Sequence, residues 1–158
     1  RPVEKVSWNM AQEFEAVTGL RLPTEAEWEY ASRAGTATAF NNGSNDDATL
    51  GTIAWYGFFG GGGTSGGQTH PVGQKLANTL GFHDMHGNVL EWTGDWYSDT
   101  YYSTSPDMDP PGPNSGVVRV LRGGSWFEPS GICRVSHRGP QGPSDDRDDA
   151  GVRVARTP

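Results

Sequence analysis

The residues best suited to chemistry in this chain are Asp84 and Glu91, two carboxylates seven positions apart that bracket Gly87 in the run Asp84-Met-His-Gly-Asn-Val-Leu-Glu91. Such a pair can fold back around one hard cation, and calcium takes roughly six to eight oxygens from carboxylates, backbone carbonyls and water. The alternative is that Glu91 accepts hydrogen bonds from nearby backbone while Asp84 caps a turn. Either role is structural, holding loops that otherwise pay a large ordering entropy. His83 and His86 have the i, i+3 spacing of a helical zinc pair, but the pattern around Gly87 predicts a turn and a third or fourth ligand is missing. Both read as surface or loop histidines. The one cysteine, Cys133, excludes an internal disulfide, and a free cysteine is more often a small buried hydrophobe than a reactive thiol. Ser125 lies in Gly124-Ser-Trp, which lacks the Gly-x-Ser-x-Gly frame of a nucleophile elbow. The glycine run Gly60-Gly-Gly-Gly63 has no Gly-Lys-Ser/Thr ending, and with Gly66-Gly67 it reads as a flexible surface loop.

These residues must be positioned by one domain, which is what 158 residues accommodate. The 23 Gly and 11 Pro approach a disordered composition, but 6 Trp, 6 Phe and 5 Tyr bury large areas and argue for an irregular, loop-rich globule. A formal net charge of −7 gives no bulk attraction to a phosphate backbone, so nucleic acid is excluded as an expected partner. No apolar run approaches the length of a membrane span. Ser7 predicts an N-cap for a helix carrying Met10, Phe14 and Val17 on its apolar face and ending at Gly19. Thr24 and Glu27 form a capping box for a second helix, with Ala26, Tyr30 and Ala34 on one face, Trp28 near its edge and Gly35 closing it. Strands are predicted at Val117–Leu121, Ile132–Ser136 and Ala150–Ala155, a brief strand or anchor at Ile53–Tyr56, and a loop over Gly139–Asp149. The expected fold class is α+β, a small twisted antiparallel sheet flanked by two short helices, with most of the chain in loops.

Three motifs in order, Arg21-Leu-Pro-Thr-Glu-Ala-Glu-Trp28, Gly87-Asn-Val-Leu-Glu-Trp92 and Arg119-Val-Leu-Arg-Gly-Gly-Ser-Trp126, resemble the formylglycine-generating enzyme family, also called the sulfatase-modifying factor family. The resemblance runs from about Val3 to Arg156 and implies an irregular C-type-lectin-like fold. It also implies a single domain over residues 1–158 lacking the family's N-terminal strand and helix, and an exported or periplasmic setting. By the family's pattern, calcium is held by the side chains of Asp84 and Glu91 and the carbonyls of Gly87 and Val89.

The same resemblance bears on catalysis. In the family's oxidases two cysteines bind copper(I), which favours soft thiolates; here those positions fall on Glu128 and Cys133, and Leu90 stands where active members carry Trp. Copper is therefore not expected. Should the chain be active, Cys133 and Ser125 are the candidate catalytic residues. The family's iron-dependent sulfoxide synthases draw their histidines from an upstream helical domain that these residues do not include. Arg138, Arg147 and Arg153 read either as a charged surface run or, by resemblance, as inward arginines with bidentate carboxylate partners, and Arg134 belongs to the same set.

The first functional expectation is a non-catalytic binding or interaction module for a protein or peptide ligand, on a calcium-stabilised scaffold. Trp126, Phe127, Glu128, Ile132 and His137 form its ligand face, in the segment from Phe127 to Gly142 where the variable proteins of diversity-generating retroelements, which look much like this chain, display altered side chains. The alternatives are a metal-dependent oxidase that modifies a protein cysteine, a structural subunit of a larger assembly, and a retroelement-diversified ligand-binding protein.

Overall fold

The computed structural model describes residues 1–57 and 62–156. Both predicted helices form, and their local signals explain where they start. Helix α1 spans Trp8–Thr18, with the Ser7 side chain accepting from Met10 N and Gly19 ending it at φ +70°. Helix α2 spans Glu25–Arg33 behind a complete capping box, Thr24 accepting from Glu27 N and the Glu27 carboxylate accepting from Thr24 N.

The faces these helices bury differ from expectation. On α1 only Ala11 is buried, while Met10, Phe14 and Val17 are exposed. On α2 the inward residues are Glu25, Trp28 and Ser32, and Tyr30 points to solvent at 75% exposure. The apolar face predicted through Ala26 and Tyr30 is thus rotated, because Glu25 turns inward to meet an arginine 113 residues away.

The strands are β1 (Ala54–Trp55), β2 (His86–Gly87), β3 (Leu90–Trp96), β4 (Arg119–Arg122), β5 (Gly139–Gln141) and β6 (Ala150–Val152). Strands β1 and β2 pair in parallel, and the others form one sheet in the order β5-β4-β3-β6. The sheet is mixed: β4 runs antiparallel to β3 and β5, but β6 is parallel to β3, correcting the wholly antiparallel expectation. Two further predictions fail. Residues 132–136 turn instead of extending, with Ile132 N donating to Pro129 O and Cys133 N to Ser130 O at i, i+3 spacing. Within the expected loop, Gly139–Gln141 pairs along β4 as an edge strand, a place that tolerates Pro140.

Buried apolar residues gather in two clusters. One joins Ala11, Leu22, Leu90, Trp92, Leu121 and Ala150; the other joins Phe40, Leu50, Ile53, Ala54 and Cys133. Ion pairs also lie in the interior. Arg122, wholly buried, donates to Glu29 and lies 3.7 Å from Glu25, which also takes a two-pronged contact from Arg138 at 2.6 and 2.7 Å. Arg119 is gripped between Trp8 and Trp96, its guanidinium 3.6 and 3.4 Å from the two ring centres.

Candidate functional site

Strand β2 and the turn into β3 carry the Asp84–Glu91 motif. Asp84 sits in the left-handed region at φ +56°, its Oδ2 accepting from Gly73 N at 2.7 Å. Its Oδ1 is buried with no partner among the described residues. Glu91, in β3, accepts from the Trp28 indole at 2.7 Å and from Arg153 through two nitrogens at 2.7 and 2.8 Å. These bonds engage Oε2 twice and Oε1 once, which leaves a lone pair on Oε1. Gly87 and Val89 line the same cavity of about 420 Å³ with both carboxylates. The four residues assigned to calcium by resemblance are therefore adjacent, and the orphaned Asp84 oxygen is what a hard cation would complete. Gly87 is required here, since a Cβ at φ +74° would collide with the Trp55 carbonyl.

The two histidines separate. His83 is exposed, with Nδ1 against Lys75 O, whereas His86 is entirely buried, correcting its reading as a surface residue. Asn41 N donates to His86 Nε2 at 3.1 Å, so Nδ1 carries the proton and donates to Cys133 O at 2.7 Å. Burial pushes the imidazole pKa down to about 4, which keeps it neutral. No group of three or more His, Cys, Asp or Glu side chains suited to a metal occurs among the described residues, so the zinc pattern has no third side chain.

The loop after β4 holds the positions that resemblance assigned to copper. Gly123 and Gly124 turn it at φ +93° and +74°, and a Cβ on Gly124 would lie 2.5 Å from Cys133 Sγ. Cys133 is fully buried; burial first, and then the nearby Glu128 carboxylate, push its thiol pKa up to about 12. Glu128 is paired with Arg147 at 3.2 Å, and Arg147 also makes a two-pronged contact with Asp149 at 2.7 and 2.8 Å. Ser125 is wholly buried and donates to Asp149 at 2.8 Å. A single enclosed thiol beside a carboxylate already engaged by Arg147 is a poor fit to copper(I), and the carboxylate that accepts from Ser125, Asp149, is itself held by two bonds from Arg147. Arg138, Arg147 and Arg153 all point inward to carboxylates, while Arg134 is exposed.

The expected ligand face is partly assembled. Trp126 and Phe127 pack edge to face with ring centres 5.5 Å apart, and both are half-buried, as are Glu128, Ile132 and His137. Burial, followed by Arg122, lowers the His137 pKa. The segment is fixed from below: Trp126 N donates to Asn88 O, Gly57 N to Glu128 O, and the Ser65 hydroxyl to Trp126 O at 2.7 Å. The chain on either side of the glycine run is likewise tied down, Thr64 N and Ser65 N both donating to Tyr56 O. Of the glycine run itself, Gly60 and Gly61 lie outside the described residues. No sequence pattern marks the Trp55–His70 stack, ring centres 3.8 Å apart, with Lys75 Nζ 3.8 Å from the Trp55 ring centre. Its members are 15 and 5 residues apart with no shared periodicity, and only the tertiary path joins them.

Comparison with known proteins agrees with this geometry. The model of the sulfatase-modifying factor enzyme 1-like domain matches residues 1–158. A formylglycine-generating enzyme of Streptomyces coelicolor is 41% identical over 164 residues, covering 98% of this chain and 52% of that protein. The serine/threonine-protein kinase pkn1 of Chlamydia caviae is 38% identical over 98% of this chain and 24% of its own length. Among solved structures, Treponema denticola variable protein 1 superposes with a TM-score of 0.86 at 33% identity, over all of this chain and 72% of that one. PvdO from Pseudomonas aeruginosa gives a TM-score of 0.80 at 33% identity, over all of this chain and 62% of that one. The chain thus spans about half the length of the Streptomyces relative, and less of the kinase. With the whole chain matched and the three motifs gathered around one mixed sheet, the chain belongs to the formylglycine-generating enzyme, or sulfatase-modifying factor, family and has its C-type-lectin-like fold.

Proposed function

We propose that this domain is a non-catalytic member of its family, a module that binds a protein or peptide ligand on a scaffold cinched by calcium. The observation that carries the reading is the pair at the copper positions: Cys133 is enclosed with its pKa raised to about 12, and Glu128 is already held by Arg147. One enclosed thiol beside a hard, already engaged carboxylate lacks the second soft thiolate that copper(I) favours. What the loop offers instead is a rigid surface, with Trp126, Phe127, Glu128, Ile132 and His137 on a backbone pinned to Asn88, Gly57 and Ser65. Aromatic side chains on a fixed loop lose little entropy when a partner covers them.

Calcium would be held by Asp84, Gly87, Val89 and Glu91, and its contribution is a cross-link between the loop before β2 and the start of β3. The buried Asp84 Oδ1 supports that assignment. A second reading, oxidation of a protein cysteine, is favoured by the 41% identity to a formylglycine-generating enzyme.

Metal analysis of the purified chain, with and without Cys133→Ser, separates the two. The binding-module reading expects calcium without copper, unchanged in the variant. Stoichiometric copper that is lost with Cys133→Ser would overturn it in favour of the oxidase.

A further inference from the structure

The turn over residues 40–44 carries the one Asn-Gly pair of the chain, Asn42-Gly43. Both residues are exposed. Their neighbours are secured: Phe40 N donates to Ser44 O at 3.1 Å, and Asn41 N to the buried His86. Gly43 N is held less closely, donating to Phe40 O at 3.3 Å. Gly43 has φ +79°, a conformation that glycine adopts at no steric cost, and a Cβ built on it meets nothing within 4 Å.

An asparagine side-chain carbonyl is one five-membered ring closure from the backbone nitrogen of the following residue. A side chain on that residue obstructs the approach, and Gly43 has none. Asn42 Oδ1 accepts from Ser44 N at 3.1 Å, the side-chain turn that Asn makes with the backbone two residues on. That bond draws charge from Cγ, and its donor stands in place for the negative oxygen that attack on Cγ creates, as backbone N–H groups do for other tetrahedral intermediates. Asn42 Nδ2 donates to Thr49 Oγ1 at 3.0 Å, which orients the amide while the residue stays open to water.

We propose that Asn42-Gly43 is a self-modification site, at which the chain deamidates through a cyclic imide. Gly43 N gives its proton to hydroxide and forms a bond to Asn42 Cγ. The Cγ–Nδ2 bond breaks, and Nδ2 leaves as ammonia with a proton returned by water. Water then adds to one of the two ring carbonyls, giving aspartate from one and isoaspartate, whose main chain runs through the side-chain carbon, from the other. Either product adds a negative charge and loses the two bonds that Nδ2 donates to Thr49. Isoaspartate also lengthens the main chain next to Asn41, whose bond to His86 leads on to Cys133 O. No partner is required, so the conversion marks a chain by its age.

The test is incubation of the purified whole chain in buffers from mildly acidic to mildly alkaline. Ammonia release is followed, with peptide mass spectrometry under electron-based fragmentation, which tells isoaspartate from aspartate. Conversion is expected at Asn42 ahead of every other asparagine, including the exposed Asn114 before Ser115. Its rate should rise with hydroxide, with isoaspartate the larger product and one ammonia released per converted chain. Asn42→Gln at this exposed position needs a six-membered ring, and Gly43→Ala sets a methyl beside the attacking nitrogen. Each should slow conversion at position 42 at least about tenfold, the factor given by about 1.4 kcal/mol on a barrier. Asn42 left intact when a free peptide of residues 40–46 has converted in the same buffer overturns the proposal. So does conversion at Asn114 before Asn42, or a rate at position 42 that neither variant lowers.

Discussion

Asp95 carries an unusual burden for a carboxylate. It lies in β3 at 4% exposure, with Oδ2 accepting from Glu25 N at 2.6 Å at the first residue of α2 and Oδ1 unpartnered among the described residues. Gly112 presses against Oδ1 so closely that a Cβ there would overlap it. Burial is the first cause of a pKa raised to about 6; the Glu25 carboxylate adds to it, while the bond from Glu25 N and the charges of Arg138 and Arg119 oppose it. The folded state therefore holds this proton more tightly than the unfolded chain does, and the associated stability is present below the unfolded value near 4 and lost as pH rises through about 6. A shift of about two units corresponds to about 3 kcal/mol. Asp95→Asn keeps the acceptor for Glu25 N and removes the titration. Urea unfolding of both proteins from pH 4 to pH 7.5 should show the variant gaining about 2.5 kcal/mol on the wild type over that range, most of the linkage, whatever offset separates them at pH 4. His86, whose pKa is lowered to about 4, produces the opposite slope by losing stability as pH falls below its ordinary value, but it is common to both proteins and cancels in the difference. A stability difference that stays flat with pH would refute the reasoning.

Three other outcomes follow from the geometry. Gly124→Ala places a methyl 2.5 Å from Cys133 Sγ and 2.9 Å from its Cα at a positive φ, and should cost roughly 2–4 kcal/mol; Gly131→Ala, with nothing within 4 Å, is the matched control in the same thermal melts. Arg119→Gln empties the cation from between Trp8 and Trp96 and should destabilise by about 1–2 kcal/mol with a change in tryptophan emission. Asp84→Ala should abolish the rise in melting temperature that millimolar calcium gives the wild type, whereas an unchanged calcium response would remove Asp84 from the site.

What was legible in the sequence was what is encoded locally. Ser7 and the Thr24/Glu27 box act within one turn, so the helix starts could be placed from neighbouring residues alone. The inward face of α2 could not, because Glu25 is buried by Arg138 and Arg122, whose positions depend on the whole intervening chain. Strand β3 escaped notice for a related reason. Residues 90–93 are all buried, so no alternation marks them, and Glu91, Gly94 and Asp95 depress strand propensity. Ile132–Ser136 misled in the opposite direction, since its apolar residues alternate like a strand while its backbone closes turns that bury Cys133 and Val135. The motif at residues 84–91 was legible as a candidate site by residue type, but the pairing of Glu91 with Arg153, 62 residues on, was not, because only the tertiary path brings them together.

The charged interior also bears on the proposed non-catalytic reading, because it holds the fold without help from residue 128. The apolar clusters are small, and the long C-terminal segments are joined to the rest by Arg138 on Glu25, Arg147 on Asp149 and Arg153 on Glu91. Removing one member of such a pair strands a buried charge at a cost of about 3–5 kcal/mol, so these positions are constrained by folding alone. Glu128 is different: it is the outer partner of Arg147, which Asp149 already holds by two bonds. Exchange at that position perturbs one half-exposed contact and leaves the network closed. On the function proposed above, the side chain at position 128 can thus change at little expense in stability while Ser125, Arg147 and Asp149 keep the loop in place.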